Sequence, residues 1–285
     1  MSIKIQKASN IGFCMGVRRA IDIITDAADK QGGVETLGAL VHNQQVLKKL
    51  AEHRVRIIEK VSDVQGKTVF ISAHGVGPKV MEEIESRGLT AIDTTCPFVK
   101  RAQVAARRLA EDGFYTIVFG DVEHPEVKGI LGWANGNGMA TIISSDLNRI
   151  ERLPHKLGIL SQTTQIPESF SNFVKDVIGI GLVKDAEIRV IDTLCHDIRR
   201  RQADTLKMAQ GSDIVLVIGG RNSANTKHLY ELCSTVVDTR QIETAAEINP
   251  AWLNGKVQIG VTAGASTDDE TIDDVMTRLR DITGA

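Results

Sequence analysis

Aromatic side chains make up only 4% of this 285-residue chain. That is too few for the stacking platforms that hold single-stranded nucleic acid. A basic excess is missing too: 34 Lys and Arg stand against 36 Asp and Glu, for a net charge of −2. A nucleic-acid or anionic-membrane partner is therefore not expected. No apolar run approaches the ~18 residues of a membrane span, and the opening "MSIKIQKASN" lacks the apolar core of a signal peptide. We expect a cytoplasmic protein. No linker rich in Pro, Gly or Ser divides the chain. Cysteine is sparse, with four residues and no two close enough for a CxxC zinc or redox motif. In a reducing compartment disulfides are not expected either. Any site that several cysteines share has to be assembled from distant segments.

What the chain does contain is a repeated phrase. "IDTTCPFVKRAQ" (92–103) returns as "IDTLCHDIRRRQ" (191–202), offset by 99 positions. Both carry a cysteine followed at +4 and +5 by basic residues, Lys100 and Arg101 after Cys96, Arg199 and Arg200 after Cys195. The N-terminal "IGFCMGVRRA" repeats the offset with Cys14, Arg18 and Arg19. Cys233 breaks the pattern, with Val237 and Asp238 at those places. The chain thus reads as three parts with one such cysteine each, drawn at 1–95, 96–194 and 195–285.

Short apolar strands alternate with helical stretches throughout. "KTVFISAHGV", "TAIDTTC", "YTIVFGDVEHP", "HKLGILSQTT", "SDIVLVIGGRNSANT" and "KVQIGVTAGAST" read as strands running into polar loops, and amphipathic segments such as "FVKRAQVAARRLAEDG" follow them. Helical crossovers between apolar strands predict parallel sheets and an α/β fold. "NGNGMA" reads as a surface turn. In open parallel sheets ligands bind beyond the carboxyl ends of the strands. The loops there offer backbone N–H groups, hydroxyls and helix N-termini, all suited to phosphate. One such loop is ordinarily just a helix cap; five in one chain, several with His or Asn, point to an anionic ligand.

A lone cysteine is most often a small hydrophobe, and Cys233, in the helical "HLYELCSTVV", takes that reading. Cys14, Cys96 and Cys195 each stand before a helix, where the N-terminal dipole and nearby cations favour a thiolate. Three thiolates fit zinc with an open position and equally an iron–sulfur cluster in which one iron lacks a protein ligand; spacing does not decide. Among the histidines, His53, His155 and His228 read as structural or exposed. His42, His74 and His124 follow apolar segments and are candidates to contact an anion. Glu126, two residues after His124, is an ordinary first-turn residue of a surface helix or, in a closed pocket, a proton donor.

Taken in order, "GFCMGVRRAI", "VHN", "SAHGV", "DTTCP", "HPEVKG", "QTT", "GGRNSANT" and "VTAGAS" resemble the 4-hydroxy-3-methylbut-2-enyl diphosphate reductase (LytB) family. The likeness runs from near residue 10 to near residue 270. It implies three small α/β units with mainly parallel sheets, arranged as a pseudo-threefold trefoil around a central [4Fe–4S] cluster, seen as [3Fe–4S] after oxidation. The implied iron ligands are Cys14, Cys96 and Cys195. The implied diphosphate contacts are His42, His74, His124, Ser223, Ala224, Asn225 and Ser266. Thr163 would bond the hydroxyl end of the substrate, and Glu126, with His124 beside it, would supply protons. The implied reaction is a two-electron reductive dehydroxylation to isopentenyl and dimethylallyl diphosphate, the last step of the methylerythritol phosphate route, with ferredoxin or flavodoxin as electron donor.

The sequence departs from that family at two places. Asp197 and Ile198 replace an Ala-Thr pair, and Ser223-Ala224-Asn225 replaces Ser-Ser-Asn. Each change removes a hydroxyl from the expected diphosphate shell, which predicts weaker substrate affinity with the chemistry kept. The chain also ends soon after "VTAGAST" and its helix, so closure over the cluster side is less assured than in longer-tailed members. Two other readings stay open. A non-catalytic metal protein explains the cysteines but not the phosphate-type loops. A zinc hydrolase with Glu126 as base expects His and Cys ligands close in sequence, and here they are scattered.

Overall fold

In the computed structural model, residues 3–284 are described. Twelve strands and nine α-helices alternate among them. In chain order they are β1 (Lys4–Lys7), α1 (Met15–Gln31), β2 (Val34–Leu37), α2 (Gln44–Glu52), β3 (Val55–Ile58), β4 (Thr68–Ile71), α3 (Pro78–Ser86), β5 (Thr90–Asp93) and α4 (Pro97–Glu111). Then follow β6 (Tyr115–Phe119), α5 (Pro125–Trp133), β7 (Gly138–Thr141), β8 (Lys156–Ser161), α6 (Pro167–Leu182), β9 (Glu187–Val190) and α7 (His196–Ala209). The last are β10 (Ile214–Ile218), α8 (Ala224–Ser234), β11 (Thr239–Ile242), β12 (Gln258–Ala263) and α9 (Asp269–Thr283).

The strands form three four-stranded sheets, β3-β2-β4-β5, β7-β6-β8-β9 and β11-β10-β12-β1. Every pairing is parallel. The α/β class and the parallel sheets expected from the alternating pattern are both present. All three sheets repeat one order, and in each the edge strand beside the third-placed strand (β5, β9 or β1) leads to one of the repeated cysteines. The third sheet takes that strand from the opposite end of the chain, with Lys4 to Lys7 paired on Gln258 to Val261. A boundary drawn by chain order at 195–285 therefore leaves this sheet one strand short.

The chain packs as two compact units. One takes in the chain up to Arg18, the segment Val41–His53 and the chain from His196 onward. It holds the β1-containing sheet. Ile214, Leu216 and Ile218 point to one face with Ile272, Val275 and Leu279 of α9. Val215 and Val217 point to the other, with Met208 of α7 and Leu229 and Cys233 of α8. Period-two alternation explains the two faces, and cover on both explains why "IVLVI" is apolar at every position. Full burial of each such side chain stabilises by roughly 1.5–3 kcal/mol.

The other unit takes in Arg19–Leu40 and Arg54–Cys195 and holds the remaining two sheets. Ile117, Phe119, Leu157 and Ile159 pack on Phe170 and Phe173 of α6. On the opposite face Val118 and Leu160 meet Ala106, Leu109, Val127 and Ile130 of α4 and α5. Leu37, Ile58, Val69 and Ile71 pack with Ile84 of α3. The loop before α3 lies against α5: Trp133 Nε1 donates to the Val76 carbonyl at 2.9 Å. A Cβ on Gly132 would come within 3.0 Å of Gly77 Cα, so the small residues permit that approach.

Four helices, α3, α4, α5 and α6, begin on proline (Pro78, Pro97, Pro125 and Pro167). Proline fixes φ for the first helical position and gives up an N–H that has no helical partner there. "NGNGMA" divides in two: Asn135 and Gly136 make the turn with positive φ, while Gly138 to Thr141 form β7.

Candidate active site

The repeated "IDTxC" phrase builds a seat for a cysteine. Asp93 Oδ1 accepts from the backbone N–H of Thr95 at 2.9 Å, and Asp192 Oδ1 from that of Leu194 at 3.1 Å. These are Asx turns that end the edge strand. The threonine hydroxyl then reaches the last residue of the central strand. Thr94 Oγ1 donates to the Ile71 carbonyl, and Thr193 Oγ1 to that of Ser161. The cysteine N–H follows two residues further along the same loop. Cys96 donates to the Ala73 carbonyl at 3.0 Å and Cys195 to the Thr163 carbonyl at 3.0 Å. Cys14 has no Asp-Thr before it, yet its N–H donates to Ala265 at 3.1 Å. Ala73, Thr163 and Ala265 each stand two residues past the end of β4, β8 and β12. All three cysteines are thus presented the same way, immediately before α4, α7 and α1.

Cys14 and Cys96 are half-buried and Cys195 is buried. Burial pushes the Cys14 thiol up, while the Val17 N–H, the Arg201 guanidinium and the Gly16 N–H pull it down. Arg201 is a buried cation on α7, held by its Nη1 on the Ala263 carbonyl at 3.2 Å. Cys233 is different. It is wholly enclosed by apolar side chains, and burial pushes its thiol up to about 12. That environment makes it an inert core residue, as expected from its sequence.

Within the larger unit the structure assembles Glu126, Thr163, His124, His74, Cys96 and Cys195. Glu126 is 2% exposed. Its Oε1 accepts the Thr163 N–H at 2.6 Å and its Oε2 the Thr163 hydroxyl at 3.0 Å. Burial outweighs both bonds and pushes this carboxyl up to about 7. Because the Thr163 carbonyl also holds the Cys195 N–H, one residue ties the protonatable carboxyl to a cysteine seat. His124 caps α5 by accepting the Glu126 N–H on Nδ1 at 3.2 Å. This bond places the neutral ring's proton on Nε2, which becomes a donor. The His74 ring meets the His124 ring edge to face, with centroids 5.3 Å apart.

The smaller unit assembles His42, Ser223, Ala224, Asn225, Ser266 and Cys14. Ser223 caps α8 by accepting the Thr226 N–H, and its hydroxyl lies 3.4 Å from that of Ser266. Ala224 is the first residue of α8. Asn225 is 5% exposed, and neither Oδ1 nor Nδ2 has a hydrogen-bond partner among the described residues. Such a side chain carries a large desolvation cost unless a ligand meets it. His42 sits just before α2, whose cap Asn43 accepts the N–H groups of Gln45 and Val46. Burial lowers the His42 pKa, which keeps the imidazole neutral. Gly220 approaches the backbone here so closely that a Cβ would lie 2.1 Å from the His42 carbonyl oxygen.

Two features escaped sequence reasoning. Gln162, fully buried in the "SQTT" loop, accepts the Asp121 N–H at 3.2 Å and so joins the loops after β6 and β8. The basic residues at +5 from the cysteines were visible as a pattern, but their targets lie 75 to 190 residues away, beyond what spacing reveals.

A family model described as "LytB protein" matches residues 5–280. A curated relative from Dehalococcoides mccartyi (strain CBDB1), named 4-hydroxy-3-methylbut-2-enyl diphosphate reductase, is 60% identical over 97% of this chain and 98% of its own. A relative of the same name from Geobacter metallireducens is 42% identical over 98% and 97%. The solved reductase of Plasmodium falciparum superposes with a TM-score of 0.92 at 25% identity, over 98% of this chain and 89% of that one. A second solved reductase, described as the terminal enzyme of the non-mevalonate pathway, shares 35% identity with a TM-score of 0.71, over 98% and 99%.

Proposed function

The chain belongs to the LytB family, and from that membership we propose that it reduces 4-hydroxy-3-methylbut-2-enyl diphosphate, with Glu126 and Thr163 as the proton path. The observation that carries this reading is Thr163, bonded on one side to a buried carboxyl near pKa 7 and on the other to the Cys195 backbone.

The donor set fits an iron–sulfur cluster, since three cysteines share one mode of presentation, each immediately before a helix with its N–H on a loop carbonyl. Cys14, Cys96 and Cys195 would hold it as a [4Fe–4S] cluster with one iron lacking a protein ligand. When bound, it supplies electrons one at a time and a Lewis-acidic iron. The reaction takes up two electrons and two protons. The allylic C–O bond breaks, the oxygen leaves as water, and the second proton goes to carbon, giving isopentenyl or dimethylallyl diphosphate. Ferredoxin or flavodoxin is the donor class we propose.

Hydroxide is a poor leaving group, so proton delivery to the hydroxyl matters. Protonated Glu126 donates toward Thr163 Oγ1, and the Thr163 hydroxyl turns its own hydrogen to the substrate oxygen. The diphosphate end is held by His42, His74 and His124, with Ser223, Asn225, Ser266 and the backbone at Ala224. Helix N-termini and neutral donors bind phosphate without a Lys/Arg cluster. Binding there positions the reacting carbon, away from the bond that breaks.

Glu126→Gln tests the path. The variant is expected to retain iron, sulfide and substrate binding but to turn over slowly; turnover near that of wild type would remove Glu126 from the proton path. The two departures give a second test. Ile198→Thr with Ala224→Ser is expected to tighten apparent substrate affinity, and an unchanged affinity would show that these positions do not face the diphosphate.

A further inference from the structure

The arginine five positions after each repeated cysteine reaches the segment that precedes another of them. Arg19, five after Cys14, directs Nη1 at the carbonyls of Thr94 and Thr95, each at 3.5 Å. Those are the two residues before Cys96. Arg101, five after Cys96, directs Nη2 at the carbonyls of Leu194 and Asp192, at 3.0 and 3.4 Å. Those stand one and three residues before Cys195. Arg200, five after Cys195, donates from Nη2 to Asn10 Oδ1 at 2.9 Å. Asn10 stands four residues before Cys14, and its amide donates in turn to Asp204, one helical turn after Arg200 on α7. The three contacts close a cycle along the chain, from Cys14 to Cys96 to Cys195 and back to Cys14.

Arg18 and Lys100, at +4, reach different targets. Arg18 pairs with Asp269, both half or more exposed, and Lys100 pairs with Asp93 in the loop before its own cysteine. A carbonyl that precedes the helix's cap residue accepts none of the helix's own bonds. A guanidinium presents several N–H donors in a fixed fork, so it can span two such carbonyls where an ammonium cannot fix both.

We propose that Arg19, Arg101 and Arg200 are positioning residues, each fixing the loop that presents the next cysteine in the cycle rather than the cysteine of its own helix. The inference rests on the reading of Cys14, Cys96 and Cys195 as a common ligand set. The Arg101 bond is the shortest of those to carbonyls and the Arg19 contact the longest, so substitution at Arg101 has the larger effect of the two.

The test is the alkylation rate of each cysteine, followed by peptide mass spectrometry on anaerobically purified whole protein during challenge with an iron chelator. Arg101→Ala is expected to speed alkylation of Cys195 by about tenfold, the opening that one charge-assisted hydrogen bond of ordinary strength suppresses, with Cys96 unchanged. Arg200→Ala is expected to move the effect to Cys14, and Arg101→Lys to restore part of the protection. Arg18→Ala leaves all three rates as they were. An equal rise at all three cysteines, a rise at the cysteine of the mutated helix, or no change would overturn the proposal. The measurement needs only the thiols. A wild-type protein without iron and sulfide would sink the cluster reading, while the pattern among cysteines would still decide this one.

Discussion

Glu126 keeps its carboxyl in a buried place where the charged form is penalised, and this has a consequence for stability as well as chemistry. The folded protein holds that proton up to about pH 7, whereas an unfolded Glu loses it near 4.3. Between those values the folded state binds more protons, so stability falls as pH rises through the window. A shift to about 7 amounts to roughly 4 kcal/mol at its upper limit. Glu126→Gln is expected to match wild type in Tm near pH 5 and to exceed it increasingly toward pH 8; a difference that stays flat with pH would mean that folding does not raise this carboxyl's pKa. Turnover is expected to decline above about pH 7 for the same reason, as the proton donor empties. Cys233 is the contrasting residue. With no exposure and a thiol near 12, Cys233→Ser is expected to retain visible colour, whereas serine at Cys14, Cys96 or Cys195 bleaches the protein. Bleaching by the Cys233 variant alone would reverse the ligand assignment.

At the level of elements, the loops after β2, β6 and β10 each end in a side chain that caps the next helix: Asn43, His124 and Ser223. Loss of such a cap typically costs about 1 kcal/mol, and Asn43→Ala is expected to lower stability by that amount. Gly220→Ala is expected to cost more, about 1–3 kcal/mol as overpacking does, because its Cβ would strike the His42 carbonyl. Substrate affinity should fall with it, through His42; an unchanged apparent affinity with lowered Tm would separate His42 from the diphosphate. Most inner strands were legible because cover on both faces makes them continuously apolar, as in "IVLVI", although β2 ("VETL") was not. Of the edge strands, only β5, within "TAIDTTC", was legible. β1 ("KIQK") and β9 ("EIRV") are mostly exposed and carry no apolar run. β7 hid inside "NGNGMA", where turn residues and a Gly-led strand share six positions.

At the scale of the whole chain, the repeat is a circular one. Each copy runs helix, strand, helix, strand, strand, helix, strand, and the last strand of the third copy is β1 at the N-terminus. The cysteine pattern revealed three copies because each copy places a cysteine just before a helix with basic residues at +4 and +5, although only Cys96 and Cys195 carry the Asp-Thr pair before them. Local patterning carried no hint that β1 pairs with β12, since that pairing joins residues some 250 positions apart in sequence. Deleting residues 1–9 is expected to leave β12 as an open edge, lowering Tm and promoting association through unpaired backbone; a truncated protein as stable and monodisperse as the full chain would show that β1 is dispensable. The central claim, that three similarly seated cysteines serve one redox centre, is tested most directly by iron and acid-labile sulfide content with the visible spectrum, on protein purified without oxygen. The account predicts about four of each per chain, as a [4Fe–4S] cluster requires. Zinc in their place, or no metal after reconstitution under reducing conditions, would contradict it.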